Sequence, residues 1–415
     1  MEGSSMHKHR LRRVEEAFST LPERYLGGEE GREATVQIRL SDLGRTWEVE
    51  FRPERCKVRS SPSRKPDVVI GTDAATWLAL REGRLSGLDA FQRRRLWARG
   101  DLDAAVSFEG QFRLPDDRPP MLRIHDVRVR GARISSLTAG HGPEHVILIH
   151  GLGGAKSSFF ETVAALTPEY TVHAIDLPGF GSSSKPLAAS YNADFFARHV
   201  LRFMDTLAID RAHLVGNSMG GRVSLEVGLQ APGRVRTLSM LAPAMAFRRG
   251  REWVPLIRML RPELAALPHM LRSDGVRSRF WGMISRPERL DPVVGDIAAD
   301  EFLRTYRSRA ARVAFYAAAR QIYLDAPDGP KGFWTRLAEL DPPALFIWGS
   351  DDPLVPSRFS RHVATALPDA PQVVLSDCGH IPQIELPERT HALIREFIAS
   401  AGASASAPMR LARSA

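Results

Sequence analysis

The stretch HLVGNSMGGRVSLEV, residues 213–227, passes from an apolar run through closely spaced glycines into a helix-like pattern. Two chemistries use such a junction: a loop whose amides cradle a phosphate, and a tight turn that thrusts a side chain outward. A dinucleotide loop needs G-x-G-x-x-G and a phosphate loop needs G-x-x-x-x-G-K-[ST]; neither is present. What stands here is G-x-S-x-G, with Gly216 and Gly220 on either side of Ser218. Small flanking residues permit the cramped turn that exposes a serine hydroxyl as a nucleophile.

A serine hydroxyl attacks poorly until a base takes its proton and a carboxylate orients that base. Both candidates lie downstream. FIWGSDDPLVP, residues 346–356, leaves an apolar run and ends in acids, of which Asp352 is the candidate carboxylate. VVLSDCGHIPQIELPE, residues 373–388, presents His380 just past another apolar run, as candidate base. The order Ser, Asp, His along the chain belongs to one particular arrangement of strands and helices.

Working outward, strand-like runs recur in HVILIHG, YTVHAIDLPG, AHLVGNS, VRTLSMLAP, PALFIWGSDD and PQVVLSD, separated mostly by helical patterns such as NADFFARHVLRFMDTLAI. Apolar strands alternating with helices imply an α/β fold with a mostly parallel sheet covered on both faces. Upstream, a compact α+β pattern ends at the proline-containing stretch LPDDRPPMLRIHD, residues 114–126, which we read as the domain boundary. The small, polar tail from residue 401 to 415 is expected to be disordered.

Composition narrows the classes further. The chain has 415 residues, 43% of them hydrophobic and 25% charged, and no apolar run approaches the roughly 20 residues of a membrane span. Its N-terminus is basic but lacks the apolar middle of a secretory signal, and its two cysteines, Cys56 and Cys378, lie far apart, so the cytoplasm is the default compartment. No cofactor and no metal is called for. The net charge of +9 comes with 51 arginines among 57 basic residues and without any zinc-finger, helix-turn-helix or aromatic-interleaved basic motif, so nucleic-acid binding is not expected.

With these motifs in place, residues of about 121–400 resemble an α/β-hydrolase. HGLGG, residues 150–154, resembles the oxyanion loop of that family. The resemblance implies that the backbone N–H groups of Leu152 and Met219 face the negative oxygen of a tetrahedral intermediate. DLPGFGSS, residues 176–183, resembles a family turn in which Asp176 is structural. The family's W-G-x-x-D pattern favours Asp352 over Asp351, through Trp348 and Gly349. His150 is read as a hydrogen-bonded structural histidine and Cys378 as a small buried thiol.

Residues 246–336 interrupt the alternation and are expected to form a helical lid. Within it, WVPLIRMLRPELAALPHML has apolar positions at helical spacing beside arginines, and residues 248–286 carry a local charge of +6. An anionic membrane surface, a lipid headgroup or coenzyme A would suit that charge; an ordinary cap helix with a solvated face is the preferred reading.

The N-terminal segment resembles a second family. TVQIRLSDLGRTWEVEF alternates apolar and polar residues around a turn at Asp42, Leu43 and Gly44, which predicts a hairpin. The following DVVIGTDAATWLALREGRLSGLDAFQRRRLWARGDLDAAVSFEGQF reads as strand, helix, helix, strand, helix. That order and wording resemble the sterol carrier protein 2 (SCP2) family over about residues 12–118. Relatives usually have a glycine before LWARGDL, where this chain has arginines 93–95. The resemblance implies a lipid ligand between sheet and helices, in an interior either open or filled by large side chains such as Trp77, Phe91 and Trp97.

Together these readings imply a serine hydrolase acting on an ester or thioester of a hydrophobic acid. The same scaffold hosts carbon–carbon bond hydrolases and cofactor-free haloperoxidases. From another class comes a lipid carrier whose hydrolase part is only a scaffold.

Overall fold

The computed structural model describes residues 2–27, 33–62, 65–114, 122–167, 169–248, 251–266, 273–290 and 292–403. The chain divides into two compact units, one of Met1–His125 with Leu137–Gly140 and one of Asp126–Ser136 with His141–Ala415.

In the first unit, strands β1 (Ala34–Leu40), β2 (Arg45–Arg52), β3 (Arg55–Arg59), β4 (Val68–Thr72) and β5 (Leu96–Gly100) form one sheet in the order β3-β2-β1-β4-β5. β1 and β2 are antiparallel, with Leu40 opposite Arg45 across the expected turn, whereas β1 and β4 run parallel. Helices Ala74–Arg81, Gly87–Gln92 and Leu102–Gly110 start where Asp73, Ser86 and Asp101 accept a backbone N–H from the first turn. Each such cap contributes about 1 kcal/mol. The helix Glu2–Ser19 and the edge strand β3 are additions to the sequence reading.

Aromatic rings fill the core of this unit. Phe18 is stacked between Trp47 and Trp77, with ring centroids 4.5 Å away on each side. Phe108 lies 6.1 Å from Trp77 and 5.1 Å from Phe112. Of the two interiors left open by the sequence, Trp77 thus acts as a filler, but Trp97 does not: it is 39% exposed. It lies over Gly71, its partner across β4 and β5, where a Cβ would come within 2.1 Å of the indole. Within the arginines 93–95, Arg94 adopts φ 56°. The turn survives because Arg95 N–H reaches the Ala90 carbonyl (2.8 Å) and Arg94 N–H the Phe91 carbonyl (2.9 Å), the paired bonds that close a helix C-terminus.

A second sheet contains β6 (Leu122–Val129), β7 (Ala132–Ala139), β8 (His145–Ile149), β9 (Thr171–Ile175), β10 (Ala212–Asn217), β11 (Val235–Leu241), β12 (Ala344–Gly349) and β13 (Gln372–Leu375). Their order in the sheet is β13-β12-β11-β10-β8-β9-β7-β6. From β13 through β9 every pairing is parallel. β6 and β7 extend the sheet beyond the strands read from sequence. Chain order reverses direction across the sheet at β8, the kind of switch point at which open α/β sheets gather ligands beyond their strand C-termini.

Between β11 and β12 the chain is helical, including Ser273–Trp281, Pro292–Arg307 and Arg309–Leu324. The apolar stretch expected at helical spacing is broken instead, into the helix Val254–Met259 and a 3-10 turn at Pro262–Ala266. Pro262 disfavours helical backbone in the residue before it. Trp253, Leu256, Leu260 and Leu264 are exposed there, and Met259 is 78% exposed. Residues 267–271 of that stretch, and 404–415 of the expected tail, lie outside the described residues; the last helix, Pro387–Ala403, reaches past residue 401. Among the described residues no helix is long and apolar enough to cross a membrane.

Candidate active site

Ser218 stands between β10 and the helix Met219–Gln230 with φ 53° and ψ −115°. A non-glycine residue there stores strain on the order of 1–3 kcal/mol, held only where the surroundings fix the backbone. They do so here. Ser218 N–H donates to the Leu241 carbonyl (2.9 Å), and its own carbonyl accepts from Ala244 (2.9 Å) and Arg222 (3.1 Å). The flanking glycines make the crossing possible: a Cβ on Gly220 would lie 2.0 Å from the Ile149 carbonyl oxygen, and one on Gly216 would lie 2.4 Å from that of Gly220.

His380 and Asp352 meet. His380 Nδ1 lies 2.7 Å from Asp352 Oδ2, with both side chains buried. The other carboxylate oxygen of Asp352 accepts the N–H groups of Leu354 (2.8 Å) and Val355 (2.9 Å). Asp351 is exposed instead and accepts the Ser285 hydroxyl at 2.5 Å. Leu152 sits in a tight turn after β8, closed by Gly154 N–H on the Gly151 carbonyl (3.1 Å) with Gly153 at φ 77°. That turn abuts the turn at Ser218, since a Cβ on Gly151 would be 3.2 Å from Ser218 Cβ. Met219 opens its helix, so its N–H is among the four that a helix start leaves without an intrahelical partner.

Three residues outside the sequence reading hold these loops. Asn217 Nδ2 donates to the Leu241 carbonyl (3.0 Å) and to the His380 carbonyl (3.1 Å), tying the serine turn to the histidine loop. Its position beside Ser218 at the end of an apolar strand was the available signal. Glu385 accepts N–H groups from Gly379 (2.8 Å), Ile381 (3.0 Å) and Ser285 (2.8 Å). Burial pushes its carboxyl above the usual range, against the pull of those bonds. Lys156 makes a buried ion pair with Asp176 (2.8 Å), which also accepts Lys156 N–H (2.7 Å) and Ser182 N–H (2.8 Å).

His150 is occupied at both nitrogens. Leu177 N–H donates to its Nε2 (3.0 Å), so its Nδ1 carries the proton toward the Gly151 carbonyl (2.7 Å). Burial lowers its pKa, outweighing nearby Asp176. Cys378 is fully buried, and burial raises its thiol pKa. Behind Ser218, Arg222 pairs with Glu226 (2.8 Å) and Asp325 (2.7 Å), and Arg336 also donates to Glu226. Burial pushes the Glu226 carboxyl up, but the Arg336 hydrogen bond and the Arg222 charge outweigh it and hold the pKa at about 2.

The helices between β11 and β12 cover these loops. Phe302 and Phe315 lie against the turn at Gly153, where a Cβ would be 2.7 Å and 3.1 Å from their rings. The Met283 carbonyl accepts His380 N–H at 2.9 Å. The site residues thus follow the C-terminal ends of β8, β10, β12 and β13, under an apolar roof.

The family model described as alpha/beta hydrolase fold matches residues 144–387, more than half of the chain. The chain is an α/β-hydrolase. A second model, the SCP-2 sterol transfer family, matches residues 29–113, so this α/β-hydrolase carries an N-terminal SCP2 domain. It is similar to a dihydrolipoyllysine-residue acetyltransferase component of the acetoin cleaving system from Cupriavidus necator, 31% identical over 72% of this chain and 71% of that protein. It is also similar to a 2-hydroxy-6-oxononadienedioate/2-hydroxy-6-oxononatrienedioate hydrolase from Paraburkholderia phymatum, 29% identical over 64% of this chain and 91% of that one. Among solved structures, a meta-cleavage product hydrolase superposes with a TM-score of 0.55 at 25% identity, covering 66% of this chain and 98% of the other. A membrane phospholipase A shares the fold, with a TM-score of 0.58 at 24% identity over 79% of this chain and 97% of that one. The α/β-hydrolase is an enzyme of the hydrolase class.

Proposed function

We propose that this enzyme is a serine hydrolase that cleaves an ester or thioester of a hydrophobic acid. The observation that carries the reading is the 2.7 Å contact of His380 with Asp352, on a loop that Asn217 ties to the strained turn of Ser218. In this mechanism His380 Nε2 takes the Ser218 proton as Oγ attacks the substrate carbonyl. The N–H groups of Leu152 and Met219 hold the resulting oxyanion, an effect worth about 10²–10³ in rate per donor. His380 returns the proton to the departing alcohol or thiol, leaving an acyl-serine. Water, deprotonated by His380, then releases the acid and restores Ser218. Asp352 keeps the proton of the neutral imidazole on Nδ1 and stabilises the imidazolium.

The apolar roof of Phe302 and Phe315 supports a hydrophobic acyl group, and the segment 246–336 acts as the lid over it. Domain limits of 12–118 and 121–400 complete the proposal, with a lipid ligand for the SCP2 domain.

A fluorophosphonate probe followed by peptide mapping tests the nucleophile without knowledge of the substrate. Label is expected on Ser218 and on no other serine; an unlabelled Ser218 in folded protein overturns the reading. Medium-chain p-nitrophenyl esters then test the bond. The similarity to a protein named as a 2-hydroxy-6-oxononadienedioate/2-hydroxy-6-oxononatrienedioate hydrolase and to a solved structure named as a meta-cleavage product hydrolase favours a second reading, carbon–carbon bond hydrolysis on the same residues. Turnover of a 2-hydroxy-6-oxo-dienoate at least tenfold faster than any ester would replace the first reading by the second.

A further inference from the structure

Residues 253–264 turn their apolar side chains outward. Among the described residues ten large apolar side chains are exposed, and five of them, Trp253, Leu256, Met259, Leu260 and Leu264, fall within this one stretch. Single exposed apolar residues are ordinary, but a group of them marks a surface that meets a partner. An ordinary cap helix, the reading preferred from the sequence, would bury its apolar stripe, as Phe280, Ile284 and Leu303 of the same segment do. The stretch is also anchored from its inner side. Arg320, on helix Arg309–Leu324, donates to the carbonyls of Ile257 (3.0 Å) and Arg258 (2.6 Å), near the end of helix Val254–Met259. Arg312, on the same long helix, donates to the carbonyl of buried Ala265 (2.9 Å).

Positive charge accompanies the apolar face. Arg258 and Arg261 interleave with its apolar residues, are exposed, and have no ion pair among the described residues. Arg320 serves only neutral carbonyls, and so does Arg251, on those of Tyr323 (2.6 Å) and Asp325 (3.1 Å). Four guanidinium charges thus lack an ion pair, against Glu252 and Glu263 near the two ends of the stretch.

We propose that this face docks on the surface of an anionic lipid bilayer. Leu256, Met259, Leu260 and Leu264 enter the boundary between headgroups and acyl chains, and Trp253 lies at headgroup level. Arg258 and Arg261 run their apolar stems along the same boundary and hold their charges against lipid phosphates. A protein partner would have to set a carboxylate against each interleaved arginine inside an apolar contact, because a charge left unpaired there is costly. A bilayer supplies anionic headgroups wherever an apolar side chain enters. Insertion of so small an apolar surface binds weakly and reversibly, so stable docking takes the electrostatic contribution as well. Each arginine near an anionic surface strengthens binding about fivefold. The docking depends on surface chemistry and not on which bond the enzyme cleaves.

Co-sedimentation of the full chain with vesicles of phosphatidylcholine alone, and of phosphatidylcholine mixed equally with phosphatidylglycerol, tests the face. Binding to the anionic vesicles is expected to be about tenfold or more tighter, and to weaken as salt is raised. The joint change Leu256→Ser, Met259→Ser and Leu260→Ser should lower that affinity about tenfold or more and leave the unfolding temperature unchanged, since all three side chains are exposed. Met259→Glu, at the most exposed of the five positions, should act in the same direction and serves if the triple variant fails to fold. Arg258→Gln with Arg261→Gln should remove most of the preference for anionic vesicles. Tryptophan emission should move to shorter wavelength on the anionic vesicles, and Trp253→Phe should abolish that shift. Absence of binding, equal binding to both vesicles, or unchanged binding in a folded Met259 variant overturns the proposal, as does an emission shift that survives Trp253→Phe. A reversible dimer in sedimentation velocity that the serine changes abolish would assign the face to a second copy of the chain, and overturns it too. None of these readouts requires turnover, so failure here leaves the hydrolase reading standing.

Discussion

Asp352 Oδ2 lies 2.7 Å from His380 Nδ1, and the second oxygen of that carboxylate is held by the N–H groups of Leu354 and Val355. The acid therefore cannot rotate away from the imidazole without leaving two amides unpaired. Asp352→Asn should lower kcat by about 10⁴ through the wrong histidine tautomer. Asp351→Asn, altering an exposed side chain, should stay within about twofold of the wild type. Steady-state kinetics on one ester for both variants decides between the neighbouring acids, and equal losses would refute the assignment.

Asn217 joins two loops by one side-chain nitrogen. Asn217→Ala should reduce kcat tenfold or more with little change in KM, because it loosens the position of His380 rather than the substrate pocket. An unfolding temperature lower by a few degrees should accompany it, since the buried His380 carbonyl loses this donor and the Leu241 carbonyl keeps only the Ser218 N–H. A pure KM effect would show that Asn217 faces substrate instead.

Arg94 holds φ 56° at the end of helix Gly87–Gln92. A left-handed conformation costs an ordinary residue about 1–2 kcal/mol that glycine does not incur. Arg94→Gly is expected to stabilise the N-terminal unit by about 1 kcal/mol. Denaturant unfolding followed by fluorescence measures it, and a lower midpoint would contradict the strain argument.

The two units should respond to pH in opposite directions. Burial pushes the Glu109 carboxyl up to about 7, against the Gly87 hydrogen bond and the Arg81 charge. The folded state therefore holds this proton more tightly than the unfolded chain, and its stability contribution, full below about pH 4.5, is lost as pH rises toward 7. Glu226, held at about 2, contributes above about pH 4.5 and loses its contribution as pH falls toward 2. Glu109→Gln should remove several degrees of the alkaline decline in unfolding temperature and leave the acid limb unchanged, as calorimetry across pH 3–9 would reveal.

The pairing of Asp352 with His380 was legible because the chemistry read from the motifs demands particular residues at particular places: a serine between close glycines, then an acid and a histidine past apolar strands. Local periodicity also exposed the core strands, from β8 to β13. β3 escaped because its Arg55, Lys57 and Arg59 show no buried face, as suits an edge that must resist pairing. The helix Glu2–Ser19 escaped because its contribution rests on a few apolar side chains, Val14 and Phe18 among them, in a mostly polar segment. Trp97 was read as a possible filler from its size alone, whereas its place over Gly71 follows from strand register. Glu385 and Lys156 carry no motif; their value comes from loops distant in sequence that share one corner of the fold.

The Trp47–Phe18–Trp77 stack sets a limit on how this chain can be divided. The middle ring belongs to a helix that ends at Ser19, ten residues before the segment matched by the SCP2 family begins at 29. A fragment cut at that homology border would keep both tryptophans and lose the ring between them, baring two large apolar faces to water. In this enzyme the inherited unit and the folding unit have different edges.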